Sequence, residues 1–268
     1  MRLATIVDGG RSVIAVVRDD RVLPVDDGST MRHLATASPD GVDRFRGWVD
    51  ARPGDRWLPL VEVELRAAVP DPGAIYTIGL NYRTPGESLD AGPDRPLVYG
   101  KLPSSVAAHG ATLRWDRDVT PTVDAEVELG IVIGVEGAVF GYTIVDDVSS
   151  RDPWLDGDQW LLGKSMAGFC PVGPWIVTAD EFDPTDVRLG CAINGEPIQD
   201  GRTSDMRFSV AEVIAYIGRH VRLEPGDLIV SGTPPRLSDA PGPDRHLEAG
   251  DVVTCWIEGI GDLTTTIA

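Results

Sequence analysis

Between residues 74 and 268 the chain is a succession of short, strand-like apolar runs, each stopped by a turn residue. The runs fall at 74–78, 97–100, 126–133, 140–145, 175–177, 187–193, 228–230 and 252–257. Only 210–217 reads as a clear helix there, with Ser209 suited to cap it. Thirty glycines and 21 prolines supply the punctuation that many short strands require. The pattern predicts an α+β, mainly β fold. The leading segment is different. Runs at 3–7 and 12–17 flank Asp8-Gly9-Gly10-Arg11, which reads as a hairpin turn. A third strand at 21–25 precedes short helices at 30–37 and 40–49. The breaker cluster Asp71-Pro72-Gly73 then suggests a boundary, with a small N-terminal α/β lobe at 1–70 and the main domain at 71–268.

Bulk properties exclude several classes of function. A formal net charge of −18 repels phosphate backbones and anionic lipid, so nucleic acid and membrane are not expected as partners. No apolar run approaches the roughly 20 residues of a membrane-spanning helix, and the first residues are too short a run for a secretory signal. Cytoplasm is the default expectation. Cys170, Cys191 and Cys255 are scattered singly, which predicts buried free thiols rather than a zinc site or a disulfide framework.

The chemistry sits in the acids. Glu126 and Glu128 are two apart on a predicted strand, so both carboxylates share one face while Val127 and Leu129 share the other. A half-exposed amphipathic strand writes the same pattern, so the pair alone decides nothing. The run Gly141-Tyr142-Thr143-Ile144-Val145 then enters Asp146-Asp147 at the end of an apolar, buried-looking strand. Buried carboxylates are costly unless they are paired or bind metal. Glu126, Glu128 and Asp147 converging would raise one another's pKa, and a hard divalent ion resolves that conflict. An all-oxygen donor set favours magnesium, manganese or calcium over zinc. Arg151 is expected to neutralise Asp152. Lys164 is either a surface lysine lying along an apolar segment or a fixed positive charge beside a substrate. Gly232-Thr233-Pro234 is either a plain strand-end turn or a place to hold a carboxylate.

Several motifs then coincide, in order, with a known family. They are Gly79-Leu80-Asn81-Tyr82, Asp124-Ala125-Glu126-Val127-Glu128-Leu129, the run 141–152, Gly163-Lys164-Ser165-Met166, the run 169–174, Asn194-Gly195-Glu196 with Gln199, and the runs 203–206, 225–227 and 231–234. Together the chain resembles the fumarylacetoacetate hydrolase superfamily, in particular its short two-domain bacterial members. The resemblance implies a mixed β-sandwich roll, a homodimer, and one Mg2+ or Mn2+ ion held by Glu126, Glu128 and Asp147. It implies that Lys164 stabilises an oxyanion, and that Tyr82, Arg151, Gln199 and Thr233 contact substrate. Substrates of such relatives are small 2-oxo or β-dicarbonyl acids, and their reactions are C–C hydrolysis, decarboxylation and isomerisation.

The sequence departs from that pattern at the lid. Hydrolytic relatives follow Gly-Leu-Asn-Tyr with a histidine and then a glutamate, which together activate water. Here Pro85 stands in the histidine's place and the glutamate, Glu87, is shifted by one. Glu87 is the better candidate base and His109 a poorer one. Ala167 and the stretch 235–240 depart as well, which suggests three changes around one cavity. Lyase, decarboxylase or isomerase chemistry is therefore weighted level with hydrolysis. The alternatives are a biosynthetic cyclisation or rearrangement enzyme with a wide apolar pocket, and a metal-binding pseudoenzyme.

Overall fold

The computed structural model of the chain describes residues 1–25, 27–84, 86–88, 91–237 and 245–268. Its strands of three or more residues are β1 (Arg2–Asp8), β2 (Arg11–Arg18), β3 (Arg21–Val25), β4 (Ile75–Gly79), β5 (Leu97–Lys101), β6 (Val127–Ile133), β7 (Val139–Asp146), β8 (Cys170–Thr178), β9 (Arg188–Ile193), β10 (Glu196–Arg202), β11 (Leu228–Val230), β12 (Val252–Ile257) and β13 (Gly261–Ile267). The helices are α1 (Met31–Leu34), α2 (Pro39–Asp50), α3 (Pro153–Gly157), α4 (Trp160–Lys164) and α5 (Val210–Gly218). The expected mainly β architecture is what forms. Sequence reading missed β10, β13, α3 and α4. The last two are five residues each, too short for a helical period to show.

One eleven-stranded sheet runs β3-β2-β1-β8-β7-β6-β11-β4-β5, with Leu58–Pro59 beyond β3 and Val106–Ala107 alongside β8. A five-stranded sheet, β10-β9-β12-β13 with Thr112–Leu113 at its end, packs against it. The sandwich core between them joins Leu129, Ile131 and Ile144 to Leu189, Val253 and Leu263. The opposite face of the large sheet is covered by the leading segment, where Val132, Val145 and Val230 meet Leu3, Met31 and Val49. All three cysteines are free and buried, as expected.

The three strands of the leading segment form as read. Gly9 and Gly10 turn the β1–β2 hairpin with φ of 55° and 78°, and Asp8 pairs with Arg11. Two consecutive positive φ values are the signature of the tight turn that matches strand twist. The helices come out shorter or nearly as drawn: α1 keeps four residues, capped by the Thr30 hydroxyl. The segment does not carry a sheet of its own. Arg2 and Leu3 of β1 pair with Val177 and Ile176 of β8, so hydrogen bonding is continuous across the breaker cluster.

The central strand β6 is buried at all seven residues. Val127, Leu129, Ile131 and Ile133 enter the sandwich core and Val132 the opposite one, so it reads as a largely apolar run. Gly130 is required in it. A Cβ there would lie 2.8 Å from the γ-methyls of Thr143 and Val145, so only glycine lets β7 close on β6.

Leu3 is fully buried where the leading segment meets the large sheet. Leu3→Ala is expected to lower the unfolding free energy by about 3 kcal/mol. Urea denaturation followed by tryptophan fluorescence measures it, and a change well under 1 kcal/mol would mean that β1 is not seated on β8.

Candidate metal centre

The site forms where β6 and β7 lie antiparallel. Val127 pairs with Asp146 and Glu128 with Val145. Val127 and Leu129 belong to the sandwich core, which sends Glu128 to the opposite face, as the period-two spacing requires. Asp147 follows Val145 by two and reaches the same side. The Asp147 N–H donates to the Glu126 carbonyl at 2.9 Å, and the Glu126 N–H donates to Asp146 Oδ1 at 2.9 Å. These bonds lock the two strand ends together. One oxygen from each of Glu126, Glu128 and Asp147 lies within 4.8 Å of the others.

Two lysines hold this cluster of charge. Lys164 sits at the end of α4, and its Nζ donates to Asp147 Oδ2 at 2.6 Å, Ser149 Oγ at 2.7 Å and Glu126 Oε2 at 3.2 Å. Lys101 ends β5, and its Nζ donates to Asp147 Oδ1 at 2.5 Å and to the Val148 carbonyl at 3.0 Å. Lys101 escaped the sequence reading because the predicted strand stopped at Gly100. The available clue was its place two residues beyond Tyr99, on the same face of one strand.

Burial would push the Asp147 carboxyl up, but Lys101 and Lys164 outweigh it and hold it near about 2. Among the described residues Glu128 has no such pair. Burial, followed by the charge of Asp147, pushes its pKa well above the ordinary range. Gly232 N–H donates to Glu128 Oε2 at 2.5 Å. Gly232 adopts a φ of +96°, and a Cβ there would lie 2.7 Å from Asn81 Cβ, so glycine is needed to bring that N–H in. Burial also raises buried Asp146, to about 7. Lys164 is held charged: burial would lower its pKa, and the three carboxylates raise it. The donor set is all carboxylate, partly buried and electrostatically frustrated, which fits a hard divalent ion.

A cavity of about 460 Å³ opens onto the triad. Lys164, Tyr82, Arg151, Gln199 and Thr233 all line it, so the sequence-derived substrate residues are gathered around one space. Gln199 and Thr233 are bound to each other and to the wall: Gln199 Nε2 donates to Thr233 Oγ1 at 2.8 Å, and Thr233 Oγ1 donates to the Val127 carbonyl at 2.8 Å. Tyr99 and Trp160 form an aromatic pair in the same lining, with centroids 3.9 Å apart. Trp160 stands one helical turn before Lys164.

Three expectations change. Arg151 does not pair with Asp152. Its Nε donates to Asp124 Oδ2 at 2.9 Å and its Nη2 to Glu126 Oε1, while Asp152 caps α3 instead. Arg151 thereby joins the carboxylate cluster, and behind it His246 Nδ1 lies 2.7 Å from Asp124 Oδ1. Ala167 is exposed and is not among the described residues lining the cavity, whereas Pro235 and Arg236 are. The changes therefore do not all surround one space. Glu87 is not among the described lining residues either. Its carboxylate accepts from Thr84 N at 2.9 Å and Thr84 Oγ1 at 2.8 Å and pairs with Arg207. Those contacts, Arg207 first, hold its pKa down at about 2. Pro85, and 238–240 of the altered stretch, lie outside the described residues. His109 accepts from Thr264 N at 3.2 Å, and the described lining contains no histidine.

A mainly β double-layered fold with a buried carboxylate triad set between two lysines defines a class of β-roll proteins with a candidate metal centre. Residues 74–268 match the family model described as fumarylacetoacetate (FAA) hydrolase C-terminal, and the chain belongs to the fumarylacetoacetate hydrolase family. Solved structures agree over the whole chain. A fumarylacetoacetate hydrolase from psychrophilic Exiguobacterium antarcticum is 31% identical with a TM-score of 0.85, covering 100% of this chain and 99% of that one. A maleylpyruvate hydrolase from Sphingobium sp. SYK-6, in complex with manganese(II) and pyruvate, is 26% identical with a TM-score of 0.82 and the same coverage. A 5-carboxymethyl-2-hydroxymuconate delta-isomerase from Mycobacterium smegmatis is 28% identical with a TM-score of 0.80, again covering 100% and 99%. The family thus includes hydrolases and isomerases. No helix among the described residues is long and apolar enough to cross a membrane.

Two outcomes follow from these pairs. Lys101→Met leaves a buried carboxylate short of a partner and is expected to cost about 3–5 kcal/mol in chemical denaturation. Glu87, whose pKa is depressed in the fold, contributes stability that is fully present above the unfolded value near 4.5 and is lost as pH falls toward about 2. Glu87→Gln is expected to flatten the acid limb of a stability-against-pH curve and to leave its neutral limb unchanged in slope.

Proposed function

We propose that the protein is a divalent-metal-dependent enzyme acting on a small 2-oxo or β-dicarbonyl acid, with Glu126, Glu128 and Asp147 holding Mg2+ or Mn2+. The carrying observation is the triad itself, three carboxylate oxygens within 4.8 Å in a largely buried place. The relative that binds manganese and pyruvate supports both the ion and the substrate class. A bound ion would supply Lewis acidity to the oxygens of a chelated 2-oxo acid.

This chain's residues supply the rest. Lys164 keeps its proton and places a fixed positive charge at the cavity wall, where an enolate or oxyanion oxygen would develop. Arg151, tied to Asp124 and Glu126, adds positive charge without a proton to exchange. Gln199 and Thr233 brace the wall beside Val127 and would orient the substrate. Hydrolysis needs a base for water. Glu87 is held by Arg207 and Thr84 in an ionised, structural role, and no histidine lines the described cavity. That supports decarboxylation or keto–enol isomerisation at least as well as C–C hydrolysis. A cytoplasmic homodimer remains the proposed setting.

Calorimetry with Mn2+ is expected to find one ion per chain. Glu128→Gln mimics the protonated acid that burial already favours, so it should fold and yet lose metal affinity by at least tenfold. Lys164→Met is expected to lower kcat by about 10²–10³-fold on whichever acid turns over, tested across oxaloacetate, acylpyruvates and hydroxymuconates. Intact folding with neither metal binding nor turnover across that panel would overturn the proposal.

A further inference from the structure

Resting on that reading, we infer that His246 is a positioning residue: through Asp124 it sets the orientation of the Arg151 guanidinium, and with it the grip on a substrate carboxylate. His246 lies 122 residues beyond Asp124, yet the main chain seats it there. The Leu247 N–H donates to the Val123 carbonyl at 2.8 Å, and the Leu247 side chain is buried in the sandwich core. Just before it, Arg245 pairs with Asp251 at 2.6 Å, and Asp251 Oδ2 accepts from the Glu248 N–H at 2.9 Å. The His246 ring therefore stands on an anchored stretch of chain, with Nδ1 2.7 Å from Asp124 Oδ1. Asp124 and Arg151 are fixed in turn. The ladder of 123–124 with 149–150 holds the first, and the Arg151 N–H donates to the Thr122 carbonyl at 2.8 Å.

The two oxygens of Asp124 go to different donors. Oδ2 accepts from Arg151 Nε at 2.9 Å, and Oδ1 faces His246. A carboxylate only accepts, so Nδ1 carries the proton and donates. A carboxylate free to turn meets an arginine fork to fork, taking two of its N–H groups in parallel. With Oδ1 held by the imidazole, Asp124 takes Nε alone and Nη2 is left to Glu126 Oε1. That leaves Nη1, which stands 3.6 Å from Asp156 Oδ1, too far for a hydrogen bond. Arg151, Asp124 and Asp156 line the cavity, whereas His246 is not among the described lining residues. Nη1 is thus the corner of the guanidinium that can take a substrate carboxylate, and His246 acts on it without touching the ligand. Glu126 depends less on this chain of contacts, because its Oε2 accepts from Ser149 Oγ at 3.1 Å and from Lys164 Nζ at 3.2 Å. Losing His246 should therefore be felt by the organic acid and not by the ion.

The test measures two affinities by calorimetry in each variant, Mn2+ for the protein and pyruvate for the Mn2+-loaded protein. His246→Asn keeps an N–H donor near the place of Nδ1, His246→Gln carries it further out, and His246→Leu removes it. The Leu and Gln variants are expected to bind pyruvate about five- to tenfold more weakly, the worth of one hydrogen bond, with Mn2+ affinity changed by less than about twofold. His246→Asn should restore pyruvate binding. In an Arg151→Lys background, where the fork is gone, His246→Leu should add less than about twofold, since two residues acting in one chain are not additive. Four results overturn the inference while leaving the parent reading standing. They are pyruvate binding unchanged in the Leu and Gln variants, an Asn variant no better than Leu, a Mn2+ affinity that falls as far as pyruvate's, and the full loss repeated in the Lys background. A wild type that takes up no Mn2+, or takes up Mn2+ and then no pyruvate, overturns the parent reading and this inference with it.

Discussion

Carboxylates confined out of water repel one another, and in this protein that repulsion is balanced by two lysines arriving from opposite sides. Asp147 is the pivot. Lys101 takes one of its oxygens and Lys164 the other. The first lysine is completely buried and the second retains 15% of its side-chain exposure. They therefore divide the work. Lys101 is enclosed and ties the site to the fold, whereas Lys164 stands at the cavity wall. The main-chain bonds between Glu126 and the Asp146–Asp147 pair make the geometry of the acids a property of the β6–β7 ladder rather than of flexible side chains.

That arrangement leaves Glu128 as the unbalanced member. Among the described residues it accepts one backbone N–H from Gly232 and makes no ion pair, and the charge of Lys164 does not offset its burial. A protein that only wanted stability would replace such a group with an apolar one of similar size. Its place beside Asp147 and Glu126 is what makes a doubly charged ligand a fitting occupant of the centre. The lid residues tell a complementary story. The Glu87 carboxylate is taken up by Arg207 and by the N–H and hydroxyl of Thr84.

Much of this was legible in the residues. The period-two pair Glu126–Glu128 could be placed on one face because β-strand alternation is rigid, and Asp147 followed from an apolar strand running into acids. The family's ordered motifs supplied the fold and the gathering of Tyr82, Gln199 and Thr233. What stayed hidden was long-range. Lys101 is 46 residues from Asp147, and nothing local to either announces their bond. The assignment of Arg151 to Asp152 failed for the same reason: sequence neighbours look like partners, but the antiparallel ladder of 149–150 with 123–124 brings Asp124 and Glu126 closer. The short helices α3 and α4 were invisible because five residues cannot display a helical period, although they carry Lys164 and Trp160.

The seam between β1 and β8 bears on how such a chain could be shortened or recombined. The side of β8 away from β7 is occupied by Val106–Ala107 at 170–171 and by Arg2 and Leu3 at 176–177. Excising the leading segment would leave the 176–177 part of that side with unpaired amides and carbonyls. It would also strip the cover from Val132, Val145 and Val230. A bare border beside a bare apolar face is a template for chain-to-chain aggregation. The leading segment therefore shields the sheet that carries the acids, and a chain cut back to residues 74–268 would leave part of that sheet bare.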